Sequence, residues 1–226
     1  MTQLEEKINA ALNWRIAEIA ILAKLVTLND MLKQEQVIVL KKHLIPSFYA
    51  YWEGFVKDVC RFYLEDINEL KLKHHQICPA LLTFAFDTIV SEYAKYSEFN
   101  KRTQKIDDIY RDIQTISLPT EVSTASNLNF KVLKGICTKL NLGSLDAKRY
   151  EKNLNNLLNF RNRAAHGDFN CPVDKLPIDE MRILVIELMS SFAIHLIDAY
   201  NNSAYASEHS QSGVLPEKHQ VIFYPP

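Results

Sequence analysis

The sequence predicts an all-α fold, an antiparallel helical bundle with additional helices, and three observations predict it. Among 226 residues there are only five glycines and eight prolines, about half the usual share, so turns are scarce and elements must be long. Sandwiches, barrels, glycine-rich phosphate loops and low-complexity chains all consume glycine, and this count argues against each. Apolar side chains recur at steps of three and four over stretches free of Pro and Gly, the period of a helix with a buried face. With 47% apolar and 23% charged residues, the chain is ordinary globular material that can bury a core unaided.

Residues 3–33 carry Leu4, Ile8, Leu12, Ile16, Ile19, Leu22, Val26 and Leu28 at this spacing, which predicts one long amphipathic helix. Residues 36–67 predict a second, with Pro46 an expected kink and Gly54 an interior cost. Two stripes run along it: Leu44, Phe48, Trp52, Phe55, Val59 and Phe62, then Ile45, Tyr49, Val56, Cys60, Tyr63 and Ile67. A helix apolar on two sides belongs in the middle of a bundle. Pro79 opens a third helix over 79–97, and a shorter one is expected over 103–116. Pro119 and the Ser/Thr-rich run make 117–127 a loop. Helices follow over 128–140, stopped by Asn141 and Gly143, over 145–166, stopped by Gly167, and over 178–204. One helical domain is expected over 1–205, with a tail over 206–226 whose Val221-Ile222-Phe223-Tyr224 could dock on the domain or on a partner.

The net charge is −1, which excludes a histone-like or polybasic-tail mode of binding. Its distribution is uneven. Residues 131–166 hold eight basic and two acidic side chains, whereas 167–226 hold three basic and eight acidic. Such a pair fits a phosphate-binding face, an electrostatically matched self-interface, or two solvated helix faces. The four cysteines have no CxxC spacing and read as reduced structural thiols. The amino terminus is acidic, and charge is expected to interrupt every apolar stretch before membrane-spanning length. These features predict a cytoplasmic protein with no membrane partner.

The informative place is the end of the helix over 145–166. Steps of three and four from Tyr150 through Leu154 and Leu157 or Leu158 land on Arg161 and then Ala165. Arg161 therefore stands on the core-facing stripe, where it needs a carboxylate, a phosphate or a snorkelling route. Asn162 and His166 are four apart and share a neighbouring face, while Ala164 and Ala165 let another backbone approach. Gly167 supplies the left-handed cap and leaves His166 in the last turn. On spacing alone an Asn/His pair at a helix end is also ordinary capping. Glu53 lies on the second stripe of the 36–67 helix between Tyr49 and Val56. Its expected partner is Arg161 or another basic residue of the 145–166 helix, with a surface position as the alternative.

Arg161-Asn162-x-x-x-His166 matches the Arg-(x4 to 6)-His signature of the HEPN superfamily in its Arg-Asn-x-x-x-His form. The segment Ser47–Lys57 resembles the aromatic, Glu-containing helix of RiboL-PSP-type HEPN proteins, and residues 128–167 are similar to the same group. The resemblance spans about residues 10–200. It implies a helical bundle that dimerises with two motifs facing each other, and metal-independent endoribonuclease activity in toxins and anti-phage systems. Carried over, His166 is the general acid or base at the scissile phosphate, Arg161 holds the phosphate, and Asn162 orients His166 or hydrogen-bonds the RNA. Glu53 supports the site, and Arg163, Lys148, Arg149 and Lys152 face the RNA backbone. A neutralising antitoxin is a further implied partner. In HEPN toxins paired with a nucleotidyltransferase antitoxin, the modified tyrosine lies two residues beyond the histidine; Asp168 stands there, followed by Phe169, which argues against that regulation.

No cofactor motif is visible. His74, His75 and Cys78 lack a fourth ligand at a sensible spacing and read as a polar interhelical turn, and His195 reads as a packed histidine with one hydrogen bond. Without a metal motif, the attacking group is expected to be the RNA's own 2′-hydroxyl. Arg161→Ala is expected to cost folding as well as chemistry, by leaving Glu53 unpaired. The competing expectation is a non-catalytic HEPN-like module that binds RNA or protein.

Overall fold

The computed structural model describes residues 1–27, 32–93, 95, 97–112, 117–143, 145, 148–168 and 178–207. Its helices are α1 Gln3–Thr27, α2 Gln34–Glu69, α3 Pro79–Tyr93, α4 Phe99–Asp112, α5 Phe130–Lys139, α6 Lys148–Ala165 and α7 Ile178–Asn201, with one 3₁₀ turn at His74–Gln76. The chain folds as the all-α bundle that its helical spacing predicts.

Both apolar stripes of α2 are used. Ile45, Phe48, Tyr49, Trp52, Phe55, Val56, Val59, Cys60 and Tyr63 are all buried, while Phe62 is only partly so. α1 runs antiparallel along one side, as the order of its cross-links shows: Lys7 to Asp66 at 3.3 Å, Arg15 to Asp58 at 2.6 Å and Tyr51 to Glu18 at 2.6 Å. α7 covers another side and runs parallel to α2, with edge-on ring pairs Trp52–Phe192 and Tyr63–Tyr200 at 6.1 and 6.2 Å. α6 packs on α2 as well, while α3 packs on α5 with α4 outside it.

Several expected boundaries move. α1 is described over Gln3–Thr27, the expected stretch 28–31 lies outside the described residues, and Lys33 is already extended and caps α2, its N–H donating to the Gln36 side chain at 2.9 Å. α3 ends at Tyr93 and α4 starts at Phe99, four residues before the expected start. Charge does not interrupt every apolar stretch. α7 is long and apolar enough to cross a membrane by length and composition, since Arg182, Glu187 and Asp198 are widely spaced. Its apolar face, including Leu184, Leu188, Phe192 and Leu196, is buried against the other helices.

Cys60, Cys78 and Cys137 are buried free thiols, and burial pushes the Cys137 thiol up to about 11. Cys171 lies outside the described residues, as does the tail from 208 onward, including Val221–Tyr224. Ser207 is tied down, its N–H donating to the Gln76 carbonyl at 2.9 Å and its hydroxyl to that of His75 at 2.6 Å.

Candidate active site at the end of α6

Gly167, at φ +69°, ends α6 in a left-handed turn. The Gly167 N–H donates to the Ala164 carbonyl at 3.1 Å and the Asp168 N–H to the Arg163 carbonyl at 3.0 Å, the two bonds that close a Schellman cap. A 2.6 Å ion pair from Arg163 Nε to Asp168 Oδ2 bridges the same turn. Asp168 thus ties the helix end together. The cap leaves His166 exposed, its N–H bonded to the Asn162 carbonyl at 3.0 Å. Among the described residues no hydrogen bond reaches its imidazole.

Arg161 is half-buried against α2, its Cζ 4.9 Å from the centre of the Tyr49 ring. Its Nη1 donates to Asn162 Oδ1 at 2.9 Å. A guanidinium on an aromatic face keeps the donors on its edges directed sideways. No carboxylate among the described residues lies within ion-pair distance of it. Asn162 therefore orients Arg161 through its side chain and meets His166 only through its main chain, unlike the expected side-chain role.

Glu53 is not paired with Arg161. It takes Lys57 Nζ at 3.1 Å, one turn along its own helix, and accepts a hydrogen bond from Thr124 Oγ1 at 2.5 Å. Lys57, at i+4 on the same helix, lies within ordinary reach of Glu53 and takes the place expected for Arg161. Burial raises the Glu53 carboxyl's affinity for a proton, but the hydrogen bonds from Thr124 and Lys57 and the charges of Lys57 and Arg161 outweigh it and hold the group below the usual carboxylate range.

Tyr49 joins these parts. Its hydroxyl accepts the Leu128 N–H at 2.6 Å, its ring carries Arg161, and burial, partly offset by that N–H, pushes the phenol up to about 12. Together with Asn68, which exchanges two hydrogen bonds with Leu118 at 2.8 and 2.9 Å, Tyr49 and Glu53 pin the segment 118–128 onto α2. Sequence reasoning missed Tyr49 as a site residue, although a tyrosine one turn before a half-buried glutamate was a usable signal. It also missed Thr124, which a Ser/Thr-rich loop conceals.

Lys152 is exposed and lies about three turns before Arg163 on the same face of α6, a face shared with His166. Lys148 and Arg149 form the first turn of α6; their side chains are outside the described residues. Ala165 is exposed and Ala164 half-buried. Elsewhere, the His74 and His75 rings pack edge to face at 5.4 Å, and no three His, Cys, Asp or Glu side chains among the described residues gather as a metal site needs. His195 is packed as expected, but its Nε2 has no partner among the described residues.

Fold and site together define a helical-bundle module with an Arg-Asn-x-x-x-His segment at the capped end of one helix. The model of the HEPN_MAE_28990-like HEPN family matches residues 4–205, and the chain belongs to that HEPN family. No curated protein and no solved structure matches the chain.

Proposed function

We propose that the protein is a metal-independent endoribonuclease of the HEPN type, acting as a toxin or anti-phage effector. The observation that carries this reading is the open coordination of Arg161: a guanidinium seated on Tyr49, oriented by Asn162 and without a carboxylate among the described residues, five residues before the exposed His166. Such an arginine is ready for a phosphate, for which its planar fork of donors is suited. The RNA 2′-oxygen attacks the adjacent phosphorus while its proton passes to a base, and the P–O5′ bond breaks as that oxygen is protonated. His166, or the two His166 residues of a dimer, moves these protons, and Arg161 stabilises the charge on the phosphoryl oxygens. Lys152 and Arg163, on the His166 side of α6, meet the RNA backbone together with Lys148 and Arg149.

The same proposal includes a homodimer, a neutralising partner protein and a cytoplasmic setting. The exposed Ala165 and half-buried Ala164 leave room for a second copy beside His166. Light scattering at micromolar concentration should show a dimer, and Ala165→Glu should weaken association and activity together. A monomer that still cleaves RNA contradicts the shared cleft.

The test of the activity is cleavage of RNA in EDTA with analysis of the ends. Products with 2′,3′-cyclic phosphate and 5′-hydroxyl ends are expected, and an oligonucleotide with 2′-deoxyribose at the cut should be spared. Metal-dependent cleavage, 5′-phosphate ends or cleavage of DNA contradict the reading. RNA binding without cleavage favours the second reading, a non-catalytic HEPN-like module.

A further inference from the structure

Between α2 and the pinned loop lies a cavity of about 620 Å3, lined by Lys57, Asp58 and Arg61 on one wall and residues 120–126 on the other. It begins two to three helical turns from Tyr49, on the order of 12–18 Å along α2, a span that a short stretch of single-stranded RNA covers. Its size is in the range that encloses a group as large as a nucleoside.

The chemistry of the walls narrows the occupant. Lys57 and Arg61 are balanced by Asp58 and Glu121, so the lining does not attract a bare anion by net charge. Arg61 is held by Asp58 at 3.2 Å and Glu65 at 3.3 Å, with its Cζ 4.8 Å from the Phe62 ring centre. A guanidinium fixed in this way is a platform on which a base stacks. The opposite wall carries the hydroxyls of Thr120, Ser123 and Ser126, of which Ser123 Oγ already accepts the Ala125 N–H at 3.2 Å, and their O–H groups match a ribose 2′-hydroxyl.

That wall is held in a costly conformation. Ala125 and Ser126 are both left-handed, at φ +53° and +51°, and the Asn127 N–H closes the turn onto the Thr124 carbonyl at 3.0 Å. Such a turn ordinarily takes Asn-Gly. Its shape is imposed by Thr124 on Glu53 and Leu128 on Tyr49, the residues beside and beneath Arg161. One cluster thus sets both the arginine and the cavity wall.

We propose that the cavity holds a ribonucleoside of the same RNA strand whose phosphate Arg161 grips, with its base on the Arg61 guanidinium and its ribose against the 120–126 loop. The inference rests on the reading that RNA is what Arg161 and His166 meet. The test is fluorescence anisotropy with a labelled all-ribose RNA oligonucleotide, each variant being made on the His166→Ala background, which keeps the strand intact and leaves every 2′-hydroxyl in place. Arg61→Gln removes the platform, and Ser123→Trp fills the cavity without touching an ion pair. Each should weaken binding about 10-fold or more, whereas Lys101→Gln, which removes one charge from α4, should change it by no more than about 2-fold. Melting curves keep the comparison among folded chains. Wild-type affinity in Ser123→Trp, or an equal loss in Lys101→Gln, overturns the proposal. A chain that binds through the cavity but never cuts RNA contradicts the nuclease reading and leaves the cavity standing. A chain that cuts RNA and is indifferent to Ser123→Trp does the reverse.

Discussion

Two arginines approach α2 from different helices and are treated in different ways. Arg15 of α1 is 4% exposed, donates to the Ala11 carbonyl at 2.9 Å and to Asp58 at 2.6 Å, and lies over the Trp14 ring at 4.2 Å. Arg161 of α6 is half-buried, rests on one ring and takes one amide oxygen. The first has its charge answered inside the fold, so it serves stability. The second is positioned with equal care but left with donors to spare, which is the arrangement a ligand phosphate requires.

The contrast can be broken most severely at the histidine beside the open arginine. His166→Ala should lower RNA cleavage by about 10²–10⁴-fold and leave the melting temperature essentially unchanged, because the side chain is exposed. Unfolding of this variant would make the histidine structural. Arg15→Ala should do the opposite. It breaks the buried end of a salt bridge, although Asp58 keeps Arg61 and partial solvent, so a loss of about 2–3 kcal/mol is expected in urea titrations, with unaltered end groups on any cleaved RNA.

A smaller effect tests the cluster beneath Arg161. Thr124→Val removes the hydroxyl bonded to Glu53 and should cost about 1–2 kcal/mol at neutral pH. The Glu53 carboxyl is held below its unfolded value of about 4.3, so it stabilises the fold above that pH and loses the contribution as pH falls through its lower folded value. Glu53→Gln should therefore flatten the acid limb of the stability curve, as denaturation midpoints between pH 7 and about pH 3 would show. The smallest change is a gain. A Cβ at Gly54 would meet Arg15 Nη2 at 3.6 Å, an ordinary contact, so Gly54→Ala should stabilise α2 by about 0.5–1 kcal/mol. A loss instead would mean that Arg15 needs the glycine.

Periodicity made the helices and the burial of α2 legible, because a 36-residue helix with two apolar stripes has few other places to go. It also put Arg161 on the inner face and His166 at the helix end. The ring beneath Arg161 was not legible, since Tyr49 is 112 positions away in sequence and reads as one more member of an apolar stripe. Glu53 was recognised as needing a partner, but the choice between a lysine one turn away and an arginine across the bundle depends on three-dimensional reach. With Glu53 held by Lys57 and Thr124, Arg161→Ala loses its reason to destabilise the fold beyond the stacking on Tyr49, on the order of 0.5–1 kcal/mol.

That revised expectation gives the most direct test of the central claim that Arg161 is held open for phosphate. The measurement is the single-turnover rate of RNA cleavage by Arg161→Ala at a temperature where its melting curve shows it fully folded. The account predicts a fall of at least about 10²-fold. Cleavage at the wild-type rate by a folded Arg161→Ala chain would contradict it.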